Sequence, residues 1–155
     1  MIQNLHTHTT FCDGKDAPEE MVRGAIAAGC TSLGFSGHAP MEAPNDWVMD
    51  VSAIPRYRAE VERLREAYAG QLEIFLGLEL DYWSPPPGDG WDYLIGSVHC
   101  VKKDGAELMV DYTAEDFCQN IATYYSGDCY AFAGDYYRLV GEAAKRTGCQ
   151  IVGHF

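Results

Sequence analysis

Ile2-Gln3-Asn4-Leu5-His6-Thr7-His8-Thr9-Thr10-Phe11-Cys12-Asp13-Gly14 is a short extended run ending in His-x-His, with an acid five positions after the second histidine. Side chains alternate faces along a strand, so His6 and His8 point the same way. Two imidazoles on one face at a strand end can grip one metal ion. Asp13-Gly14 then turns the chain and offers a carboxylate from the turn. Taken alone, the pair also fits two half-exposed histidines on an edge strand. The rest of the chain decides between the two.

Outward from this run, Asp16 to Gly29 has the makings of a helix. Asp16 can cap it, Pro18 suits its first turn, and Glu19 and Glu20 suit the positive end of its dipole. Met21, Val22, Ala25 and Ile26 form its apolar stripe, and Gly29 ends it. Thr31 to Gly37 is then a strand delivering His38, which completes a β-α-β unit. Ala39 to Asp50 is a loop over a site. A second helix spans Ile54 to Ala69, with Val61, Leu64 and Tyr68 on one side. Leu72 to Leu80 is a strand with Glu79 near its end. After the break at Pro85-Pro86-Pro87-Gly88, Tyr93 to Val98 is a strand ending in His99. Lys102-Lys103-Asp104-Gly105 forms a turn at the tip of a short hairpin. Helices follow over Ala114–Tyr124 and Tyr130–Arg146, and Gln150 to Gly153 is a fifth strand ending in His154.

The totals bound the reading. A chain of 155 residues is one domain's worth, and 47% hydrophobic content is enough for a core. No apolar run approaches the roughly 18 residues that span a membrane, and the N-terminus lacks a signal-peptide layout, so the expected location is cytoplasmic. A formal charge of −12 argues against nucleic acid as a partner. Bound cations would reverse the local field in a pocket, so an anionic substrate stays compatible with that charge. The six cysteines form no Cys-x-x-Cys and are read as reduced packing residues. Cys12 and Cys100 adjoin candidate site residues, but nitrogen and oxygen groups nearby suffice for a hard or borderline ion.

Five strands thus end, in order, in His6/His8, His38, Glu79, His99 and His154, and these account for all five histidines of the chain. In a parallel α/β barrel the carboxyl ends of the strands converge on one face, which holds the active site. Singly, each residue has a duller explanation. His38 could be a loop residue, His99 a satisfied buried histidine and His154 merely exposed. Glu79, flanked by leucines, is different, because a carboxylate in a core strand requires a cation or hydrogen-bond partner. Together they predict a clustered metal site.

His6-Thr-His8, Asp13-Gly14, Ser36-Gly37-His38, Gly77-Leu-Glu79, Gly96-Ser-Val-His99 and Gly153-His154-Phe155 resemble the successive motifs of the PHP (polymerase and histidinol phosphatase) superfamily, and Leu5–Gly14 and Gly-Ser-Val-His are most similar to its histidinol-phosphatase branch. The resemblance implies a distorted (β/α)7 TIM-like barrel, of which residues 1–155 carry about the first five β/α units. It also implies two or three divalent ions, with zinc, iron or manganese as the choices. His6 and His8 would bind a first ion, with Glu79 bridging it to a second held by His99 and His154. Asp13 and His38 would hold a third. Family members continue to two more strands, whose Asp and His complete the first and third ligand sets. The expectation is therefore a truncated or incompletely represented chain, with the full-length parent as the active enzyme.

The reaction that the resemblance implies is hydrolysis of L-histidinol phosphate, a small phosphorylated metabolite, to L-histidinol and phosphate. Hydroxide between the ions is the expected nucleophile, and no phospho-enzyme is needed. Arg138 is a candidate phosphate anchor. Tyr82, Trp83, Trp47 and Tyr112 are candidate rim aromatics. The alternatives are a PHP-type phosphodiesterase or nuclease, which the acidic charge disfavours, and a non-catalytic metal-binding module.

Overall fold

The computed structural model describes residues 1–42 and 45–155; two positions of the predicted 39–50 loop, Ala43 and Pro44, lie outside the described residues. Five parallel strands form one sheet in the order β1 (Gln3–Asn4), β2 (Ser32–Phe35), β3 (Glu73–Asp81), β4 (Tyr93–Ser97) and β7 (Ile151–Val152). Helix α1 (Pro18–Ala27) links β1 to β2, and α2 (Ile54–Ala67), preceded by a single 3-10 turn over Val51–Ala53, links β2 to β3. The link from β3 to β4 runs through Pro85-Pro86-Pro87 without a helix. Between β4 and β7 come the antiparallel hairpin β5 (Cys100–Lys103) and β6 (Ala106–Met109), then α3 (Ala114–Tyr125) and α4 (Cys129–Thr147). No helix among the described residues is long and apolar enough to cross a membrane. The architecture is the partial TIM-like barrel that the family resemblance implies.

Local chemistry sets the boundaries. The Ala17 N–H, not the Asp16 side chain, marks the start of α1, and it donates to Glu20 Oε2 at 2.9 Å. Thr113 and Asp128 cap α3 and α4 by accepting from backbone N–H groups of the first turn. At the hairpin tip Asp104 and Gly105 both have positive φ, 50° and 83°. That is the two-residue geometry whose twist matches the flanking strands.

The central strand β3 sorts its side chains by parity. Ile74, Leu76, Leu78 and Leu80 join Val61, Leu64 and Tyr57 of α2 in the main core. Gly77, Glu79 and Asp81 face the other way, into the barrel. Tyr93 of β4 lies across this inner face, and its hydroxyl donates to the Leu5 carbonyl at 2.6 Å, which ties β4 to the run after β1. The ring occupies the space that a Cβ on Gly34 or Gly77 would need. Gly77→Ala is therefore expected to destabilise the fold by about 2 kcal/mol through overpacking. Thermal unfolding should register a drop of about 4–8 °C, and an unchanged midpoint would refute this packing role. A second core, with Val98, Val101, Leu108, Ile121, Phe132 and Leu139, seats the hairpin against α3 and α4.

Candidate metal centre

The segment after β1 leaves the ladder but stays beside β2. The Thr7 N–H donates to Ser36 Oγ at 3.1 Å and the Thr7 hydroxyl to the Gly34 carbonyl at 2.7 Å. Thr7 is thereby turned into β2, and His6 and His8 project to the opposite side. The loop closes where the Cys12 and Gly14 N–H groups both donate to the Thr9 carbonyl. A Cβ at Gly14 would collide with the Thr9 backbone, so glycine is required for this close approach. The closed loop sets Asp13 Oδ1 3.0 Å from His8 Nδ1 and Oδ2 3.7 Å from His38 Nε2.

Glu79 is the centre of the arrangement and is 0% exposed. Its Oε2 lies 3.0 Å from His6 Nε2, 3.2 Å from His8 Nε2 and 3.2 Å from His38 Nδ1. Its Oε1 lies 3.5 Å from His99 Nε2 and 3.4 Å from His154 Nε2, and it accepts the Ser97 hydroxyl at 2.6 Å. All five rings of the chain are thus brought to one carboxylate. The backbone fixes two of the positions: His38 and Glu79 form a parallel bridge just past the end of β2.

Despite these short separations, Glu79 Oε2 has no hydrogen bond that meets geometric criteria. A fully buried carboxylate oxygen without one is costly. Each of the three ring nitrogens lies 3.0–3.2 Å from Glu79 Oε2, the spacing of two donors that share an ion. Ligands roughly 2.1 Å from one tetrahedral centre lie about 3.4 Å apart. Three sets of donor atoms, each set within 4.8 Å, occur among the described residues: His6/Glu79/His154, His8/His38/Glu79 and His8/Cys12/Asp13. These sets hold four imidazoles, two carboxylates and the Cys12 thiol, while His99 falls in none of them and approaches Glu79 only at Oε1. Such a donor mix suits a borderline divalent ion. Within these sets His6 falls with His154 and His8 with His38, while the His6 and His8 rings also stack with centroids 5.3 Å apart.

The charges follow from the packing. Burial opposes ionisation of Glu79, yet the imidazoles of His154, His6, His8 and His99 hold its carboxyl well below the usual range. Burial likewise works against the His8 imidazolium, but Cys12, Glu79 and Asp13 outweigh it and push its pKa up to about 10. His99 is pushed up to about 9 against burial by Asp81 and Glu79. For His38 burial prevails, and its pKa falls to about 4.

Two contributors have no counterpart in the sequence reading. Asp81 is 2% exposed; its Oδ2 accepts the His99 N–H at 2.9 Å and lies 3.1 Å from His99 Nδ1. Such a carboxylate fixes ring orientation and tautomer. Ser97 anchors Glu79 from β4. Both sit two residues from a recognised position on an inward-facing strand, and that spacing was the available signal.

The cluster opens into a cavity of about 280 Å³, also lined by Trp47, Met109, Asp111 and Tyr112. Arg138 does not line it. α4 buries Phe132, Tyr136, Leu139 and Ala143, which turns Arg138 toward solvent, 3.9 Å from Asp135 and 3.7 Å from Glu142. Of the four candidate aromatics, Trp47 and Tyr112 reach the cavity. The Tyr82 hydroxyl donates instead to Glu142, and the Trp83 indole to the Cys100 carbonyl.

Known proteins resemble this chain in sequence and in fold. The chain is 33% identical to a Deinococcus radiodurans protein named a probable histidinol-phosphatase, over 96% of this chain and 58% of the relative. It is 30% identical to the histidinol-phosphatase of Bacillus subtilis, over 87% of this chain and 57% of the relative. The chain therefore spans a little over half the length of these curated relatives. Among solved structures, a Listeria monocytogenes protein to which histidinol phosphatase activity is ascribed superposes with a TM-score of 0.78 at 25% identity, over 93% of this chain and 61% of that one. A Lactococcus lactis histidinol phosphate phosphatase, crystallised with zinc, L-histidinol and phosphate, gives 0.66 at 20% identity, over 98% of this chain and 57% of that one. The PHP domain family matches residues 4–154, and the chain belongs to that family.

Proposed function

We propose that this chain holds divalent metal ions on the Glu79 cluster and serves a metal-dependent phosphomonoester hydrolase whose substrate is L-histidinol phosphate. The observation that carries the reading is Glu79 itself, a buried carboxylate with an unsatisfied oxygen enclosed by five imidazoles. His6, His8, His38, His99, His154, Asp13 and Glu79 are the ligand set. When bound, divalent ions supply a water of lowered pKa and neutralise phosphoryl oxygens, as so slow a hydrolysis requires. The chain's own groups prepare that chemistry. Ser97 and the surrounding rings keep Glu79 ionised, Asp81 aims His99, and the Asp13 turn holds His8 from its far nitrogen.

The substrate class follows from space and charge. A cavity of about 280 Å³ suits a small ester. No lysine or arginine is among its lining residues, and the chain is acidic, so there is no basic track for a polynucleotide. The test is elemental analysis of the purified chain, combined with phosphate release from L-histidinol phosphate, nucleoside monophosphates and a phosphodiester. Bound metal with preferential release from L-histidinol phosphate is the expected result. Preference for the diester would replace this reading, and metal without turnover would favour a non-catalytic metal-binding module.

A further inference from the structure

The cavity residues outside the cluster are Trp47, Met109, Asp111 and Tyr112. Trp47 comes from the loop after β2 and lies against two cluster rings, with centroids 4.7 Å from His38 and 5.1 Å from His99. The other three come from the end of β6 and its exit toward α3. One of them is a carboxylate. The lysines of the same hairpin are engaged elsewhere: Lys102 pairs with Glu107 at 2.8 Å, and Lys103 lies 3.6 Å from Asp135. Among the described residues, Asp111 takes part in none of the ion pairs and accepts no side-chain hydrogen bond.

A carboxylate beside a site for phosphate esters is unfavourable for an ester that carries only negative charge. The repulsion acts on the outward half of the substrate, away from the cluster, and no lysine or arginine lines the cavity there. It becomes an advantage when the alcohol half of the substrate bears a positive charge. The phosphoryl group then lies toward the cluster, and the cation meets an acid and aromatic side chains among the lining residues. We propose that Asp111, which lines the cavity together with Trp47 and Tyr112, selects phosphomonoesters of amino alcohols by pairing with the substrate's ammonium group. The assignment rests on the phosphatase reading above and adds a residue and a charge requirement to it. Asp111 is a specificity residue, exposed at the rim, and takes no part in the hydrolysis itself.

The probes are L-histidinol, its des-amino counterpart 3-(imidazol-4-yl)propan-1-ol, and inorganic phosphate, titrated into the purified protein by calorimetry or NMR. The wild-type protein should bind L-histidinol about tenfold more tightly than the des-amino alcohol, the size expected of one charge pair in a partly wetted site. In Asp111→Asn that ratio should fall to near one. Asn is nearly isosteric at an exposed position, so the variant should fold, and an unchanged melting curve verifies this. Phosphate binding with no preference for the ammonium compound in the wild type, or a preference that survives in D111N, overturns the assignment alone. Failure of the wild type to bind phosphate or either alcohol overturns the functional reading and this assignment with it.

Discussion

Glu79→Gln should leave the purified chain with less than a tenth of the divalent metal that the wild type retains after desalting. Any phosphate release from L-histidinol phosphate should fall by roughly 10³-fold, the cost of removing the charged partner from a buried ionic group. Size and shape are nearly conserved, so the loss isolates the charge that faces all five rings. Metal content equal to the wild type would refute the central role given to this carboxylate. The same substitution has a pH signature in chelator-treated protein. The Glu79 carboxyl is depressed on folding, so its contribution to stability is present above its ordinary pKa of 4.5 and is lost as acid is added. His8 and His99 are raised on folding to about 10 and about 9. Their contribution is full below 6.5 and disappears as pH climbs through those values. The metal-free wild type should therefore melt at progressively lower temperature between pH 7 and 10, and E79Q should show less of this decline, with Cys12 and Asp81 retaining their share.

Asp81→Asn should lower metal affinity by about 10–100-fold, the range for losing a carboxylate behind a ligating histidine. Asparagine can still accept one of the bonds that Asp81 takes from the N–H groups of His99 and Trp83, but it cannot hold the His99 ring by charge. A purely structural role would change stability alone. An orienting role also moves the titration of His99 from about 9 back toward 6.5 in the metal-free protein, which NMR of the imidazole would read. An unshifted His99 with unchanged affinity would count against Asp81.

The sheet and the ring cluster were legible because both have strong one-dimensional signatures. Buried parallel strands read as short apolar runs, and each of them handed on to a His or a Glu at its carboxyl end. Asp104-Gly105 announced the hairpin by its turn chemistry. The length of β1 was not legible. The ladder covers only Gln3–Asn4, and side-chain bonds from Thr7 to β2 maintain the extended course that brings His6 and His8 to Glu79. An acid next to aromatic residues at a strand end also fits a solvated turn, so Asp81 carries no distinct signal in one dimension; the fold shows it 2% exposed, against His99. Arg138 failed as a cavity residue for the opposite reason. Its charge suggested phosphate, but helical phase turned it away from the cluster.

The outermost strands of the sheet, β1 and β7, are two residues each and sit at opposite margins. Five strands laid flat would separate those margins by about 19 Å, yet the His6 and His154 rings stand 5.8 Å apart. Side chains meeting at Glu79 thus bring the segments that follow β1 and β7 together across the curled sheet. The cluster acts as a clasp on the fold as well as a candidate metal site. Opening it by chelation should speed amide exchange first at Gln3–Asn4 and Ile151–Val152, while the middle of β3 keeps its protection.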